Sequence, residues 1–112
     1  MKKISAAILD FAKPLIDELP PDAPIETRRA ALGFAILLWN ALVMVGWGRP
    51  DFLADFKSRL GALEGADLIT DAFDRLVERK RQRHPDDDRA VGAWELRLKS
   101  DGSLSLRAEA RR

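Results

Sequence analysis

Residues 30–48 read AALGFAILLWNALVMVGWG, 19 positions without a charged side chain and with Asn40 as the one strongly polar member. A helix apolar on every face has to be surrounded, by protein or by lipid. Pro24 suits the opening turn of such a helix, and Glu26 favours the positive end of its dipole. Gly46-Trp47-Gly48-Arg49-Pro50 ends it, because glycine can take the left-handed cap and proline cannot continue the ladder. The expected span is about 24–46.

On the N-terminal side, Ile4, Ile8, Phe11, Leu15 and Leu19 recur at helical spacing and predict an amphipathic helix over about 3–19. Met1-Lys2-Lys3 resembles the start of an export signal, but Asp10 and Lys13 interrupt the apolar stretch. Pro14 lies on the opposite side of the helix, near Asp10 and Asp17. Its ring is expected to bend the helix and to release the Asp10 carbonyl, four residues back, to water. Leu19-Pro20-Pro21 then stops the helix.

On the C-terminal side, Phe52, Leu53, Phe56, Leu60 and Leu63 predict a third helix over about 51–63. Leu68, Ile69, Ala72, Phe73, Leu76 and Val77 predict a fourth over about 67–84, capped by Asp67 and stopped by Pro85. Beyond the HPDDD loop the period changes to two. Trp94, Leu96 and Leu98 alternate with charged residues, as do Leu104, Leu106 and Ala108, giving strands at about 91–99 and 103–109. A two-residue Asp-Gly loop would put the two apolar sets on opposite faces. A three-residue loop, Ser100 to Gly102, pairs Leu98 with Leu104, Leu96 with Leu106 and Trp94 with Ala108, with Gly102 in the left-handed position. One apolar face can then be buried, so this register is preferred. A two-stranded ribbon is not stable alone, and its greasy side must meet the helices or another chain.

The fold class is therefore α+β, mainly α: one domain spanning 1–112, with four helices, the second of them central, and a C-terminal antiparallel hairpin. Three surroundings suit the second helix. Ala30 to Gly48 is long enough to span a membrane with arginines 28, 29 and 49 at the interfaces, but Asn40, the glycines and the tryptophans erode the gain from insertion. A soluble core is preferred, because every other element carries an amphipathic stripe in need of a partner. A small domain has difficulty enclosing one helix on all sides, so a second copy is expected to cover part of it, as a homodimer.

The composition narrows the chemistry. With 112 residues, 19 basic and 18 acidic side chains and no cysteine, the chain is near neutral and can form neither a disulfide nor a thiolate site. One histidine and no tyrosine leave few acid–base candidates. Residues 75–83 hold five basic and one acidic side chain, and Arg75, Arg79 and Arg83, spaced by four, line one face that is a possible nucleic-acid contact. The bland explanation is stronger: cations suit a helix C-terminus, and Asp71 stands four residues before Arg75. His84 with Asp86, Asp87 and Asp88 lacks the spacing of a metal loop and reads as a solvated connection, with His84 answering the helix dipole.

Asn40 is expected to fix the register of packed helices, by pairing with its own symmetry mate. Trp39, Trp47 and Trp94 are expected to fill the core. No catalytic residue, metal ligand or cofactor is assigned. The expected function is a non-enzymatic, cytoplasmic protein-interaction or regulatory module. Its candidate interface comprises Asn40, Trp94, Leu96, Leu98, Leu104 and Leu106, with strand addition at a free hairpin edge as one route to a partner. A nucleic-acid binder and a single-span membrane protein are the alternatives.

Overall fold

The computed structural model describes residues 3–49, 51–61, 66–101 and 104–111. Helices α1 (Ile4–Asp17), α2 (Ile25–Gly46), α3 (Asp51–Gly61) and α4 (Ala66–Arg83) precede the antiparallel strands β1 (Ala90–Leu98) and β2 (Leu104–Arg111). The architecture is α+β and mainly helical, as the periodicities predict. Asp67, expected to cap α4, lies inside its first turn because the helix opens at Ala66.

α2 packs on α1, α3, α4 and β1 and so occupies the centre. The largest fully buried side chains are Trp39, Leu32 and Leu38 from α2, Phe11 and Ile8 from α1, Leu76 from α4 and Leu96 from β1. Phe11 meets Trp39 edge-on at 5.3 Å, and Phe56 of α3 bridges Phe34 and Phe73 at 5.9 and 6.2 Å. An edge-on contact such as that of Phe11 with Trp39 adds to the area term in a core. α2 ends in a Schellman motif: Gly48 has φ +87°, its N–H donates to the Val45 carbonyl, and the Arg49 N–H donates to Met44 at 2.8 Å.

The hairpin takes the expected register, with Leu98 opposite Leu104, Leu96 opposite Leu106 and Trp94 opposite Ala108. Gly102 and its expected left-handed conformation lie outside the described residues. Strand β1 packs on α2 and β2 on α1, so the apolar side of the ribbon is covered by the chain's own helices. A bulge between Val91 and Ala93 breaks strict alternation, and Val91 is buried along with Leu96 although their spacing is odd.

Enclosure of α2 is incomplete. Leu32, Ala35, Leu38 and Trp39 are fully buried, whereas Leu37 is 59% exposed and Trp47 44%. α1, α3, α4 and β1 wrap one broad arc and leave a stripe open, the incomplete enclosure expected of a small domain.

Candidate functional site

Two features stand out: a polar knot where α1 meets the end of α4, and the open face of α2 beside β1. The knot is built around Asp10. Pro14 has no N–H to give to the carbonyl four residues back, and that carbonyl accepts the Nε–H of Arg79 at 2.7 Å. The expected water is replaced by an arginine from another helix. The Asp10 carboxylate accepts Arg83 through Nε at 2.7 Å and Nη2 at 2.9 Å, and Arg79 Nη2 at 3.3 Å. His84 Nε2 lies 2.8 Å from the same carboxylate, which requires that nitrogen to carry the proton. The Arg83 hydrogen bonds, opposed by burial and assisted by His84, lower the Asp10 carboxyl from 3.8 to about 2.

His84 is buried, and so departs from the solvated dipole partner expected of it. Its ring stands edge-on to Trp39 at 5.6 Å, while the Lys80 ammonium lies 4.7 Å from the Trp39 ring. Lys80, also buried, donates to the His84 carbonyl at 3.0 Å and the Asp87 carbonyl at 2.9 Å. Burial lowers its pKa, while Asp87 and Asp88 act in the opposite direction. Asp87 in turn holds Arg89 in a two-point ion pair, and the Trp39 indole N–H donates to the Arg89 carbonyl at 2.7 Å. The HPDDD loop is thus anchored from below by Lys80 and Trp39, not merely solvated. Every fully buried side-chain nitrogen and oxygen among the described residues has a partner, and no group of three or more His, Asp or Glu side chains there has the geometry to hold a metal ion. The knot fastens α1, α2, α4 and the entry to β1.

Of the three arginines expected to share a face, Arg79 and Arg83 converge on Asp10, and Arg75 pairs with Glu18 and, at 3.2 Å, with Asp71. The Arg75–Asp71 pair is the one the i, i+4 spacing anticipates. The face is therefore real, but its cations are turned onto α1.

Among the expected interface residues, Leu96 and Leu106 are buried against the helices and Trp94 is half-buried. Leu98 and Leu104 pair through their backbones, and their side chains lie outside the description. Asn40 has a partner within the chain: its Oδ1 accepts the Val91 N–H at 2.8 Å and its Nδ2 donates to the Val91 carbonyl at 3.0 Å. The side-chain amide imitates a neighbouring strand and fixes α2 against β1, a helix-to-strand register in place of the helix-to-helix register expected. Beside it, Gly33, Leu37, Asn40, Val91, Gly92 and Trp94 line an open groove.

By length and composition α2 is able to cross a membrane, yet its buried arc is matched to four other elements. Comparison with protein-family models, with curated proteins and with solved structures finds no match.

Proposed function

We propose that this chain is a small non-enzymatic module of the cytoplasm that acts by docking another protein on the open face of α2 and the adjoining groove. The observation that carries the reading is Leu37, a large apolar side chain 59% exposed in the middle of the charge-free stretch of α2. A lone exposed leucine is ordinary on a protein surface. Here it stands on the rim of a groove whose other wall is Trp94, so apolar and aromatic surface is gathered on one side. The polar knot supports the same reading from the negative side. Its groups are engaged with one another and its role is to hold the scaffold rigid, which suits a docking surface better than a reaction centre.

A photo-crosslinking amino acid at position 37 tests this directly, with the same group at exposed Lys13 as control. Protein adducts from position 37 and none from position 13 are expected. Adducts to lipid alone, or no adduct from position 37, would overturn the reading.

A further inference from the structure

The open face of α2 has a pattern that points to one occupant. Glu26, Ala30, Gly33, Leu37 and Met44 are spaced by four, three, four and seven, so they fall on one line along the helix. Glu26, Ala30 and Leu37 are exposed, while Gly33 and Met44 are half-buried. At the far end of the line, past the Gly48 cap, stands Arg49, exposed and lying 4.6 Å over the Phe52 ring. The line thus carries an acid, Glu26, near one end and a base, Arg49, at the other, and its middle is apolar.

We propose that this face is the contact between two copies of the chain, packed antiparallel about a two-fold axis at Leu37. The inference rests on the reading of α2 as a docking face and names its partner. Symmetry about Leu37 sets each position against the one equally far on its other side. Ala30 then faces the second copy's Met44, so a short side chain meets a long one, and Leu37 meets Leu37. Glu26 faces Gly48 of the second copy, next to Arg49, and the relation repeats at the other end. Both charges are thereby answered. A parallel pair would set Glu26 on Glu26 and Arg49 on Arg49 and would align the two helix dipoles. Ala30 leaves room for the Met44 side chain of the second copy, and the opposed Leu37 side chains set the axes about 10 Å apart, within the range of helix packing. The two-fold needs a single self-complementary patch, which this stripe supplies. Of the two arginines that follow Glu26, Arg28 is turned away onto the Pro21 and Ala23 carbonyls, and Arg29, exposed, lies roughly 80° round the helix from Leu37.

Sedimentation equilibrium on the purified chain gives the test. The wild type is expected at twice 12.6 kDa. Glu26→Arg and Arg49→Glu are each expected to weaken the dimer by roughly tenfold, since each single change creates two like-charge pairs, and the double variant is expected to recover most of the loss. Leu37→Asp is expected to give a folded monomer by circular dichroism, because the side chain it replaces is largely exposed. A wild type that stays monomeric at millimolar concentration, a Leu37→Asp variant that remains dimeric, or a double variant no tighter than the singles would overturn the proposal. If the chain is monomeric while position 37 crosslinks to a different protein, the self-pairing falls and the docking face stands. If position 37 yields no protein adduct, both fall.

Discussion

The peptide carbonyl of Asp10, released by Pro14, accepts a 2.7 Å hydrogen bond from Arg79, an arginine 69 residues away in the chain. A proline inside a helix costs a hydrogen bond and leaves an acceptor without a donor. Here the defect is converted into a tertiary contact. The same arginine reaches the Asp10 side chain, and Arg83 and His84 complete the carboxylate's shell.

Stability should therefore depend on Asp10 and on acid. Its carboxyl titrates at about 2 in the folded chain against an ordinary 3.8, so the folded state favours the charged form. That contribution is complete above the unfolded value and is lost as pH falls through about 2. The shift corresponds to about 2 kcal/mol at neutral pH, the side chain being only 18% exposed. Asp10→Asn should lower the urea-unfolding free energy by about that amount at pH 7 and by much less at pH 2.5. An equal loss at both values would show that the charge of Asp10 is not what holds the knot.

The arginine row separates a structural from a nucleic-acid role. Arg79→Ala orphans the Asp10 carbonyl and should cost about 1 to 3 kcal/mol. Arg75→Ala, at a largely solvated pair with Glu18, should change stability little. Retention of the wild type on immobilised DNA should be weak, and the Arg75→Ala variant should elute at the same salt concentration. Strong, salt-dependent retention of the wild type that vanishes on replacing Arg75 would instead assign this face to phosphates.

The elements were legible in the sequence because each carries its own period. Ile4, Ile8 and Phe11 mark α1, and the pairing of Leu96 with Leu106 follows from the need to keep one face dry. The knot was not legible. Asp10 and His84 are 74 residues apart, and nothing local distinguishes a carboxylate that will collect two arginines from one that will face water. The proline was the available signal, since it identified the carbonyl lacking a donor, though not the donor. Asn40 was visible as a polar intruder. Its partner was hidden by the bulge at Gly92, which turns Val91 inward against the alternation that Trp94 and Leu96 establish.

Asn40 should matter through β1. Replacing it with leucine removes the groups that satisfy both the Val91 N–H and the Val91 carbonyl. Two backbone groups left short of partners in a half-buried setting should cost about 2 to 4 kcal/mol. The Val91 amide should lose hydrogen-exchange protection before those of Leu96 and Leu106. Unchanged protection at Val91 would mean that the clasp adds nothing to the docking of the strand.

Gly33 offers a substitution that separates the stability of one copy from the pairing of two. A Cβ there would lie 3.5 Å from Cζ2 and 3.8 Å from Cη2 of the Trp94 indole, ordinary contact distances. Alanine favours the helix over glycine by about 0.5 to 1 kcal/mol, so Gly33→Ala should raise the melting temperature of dilute protein by a few degrees. The methyl is received by the chain's own Trp94 and not by the second copy, so association through the open face of α2 should be unchanged. Thermal melts should therefore favour the variant, while sedimentation at high concentration should show the wild-type dimer. A variant that gains stability but loses association would place Gly33 inside the contact between copies.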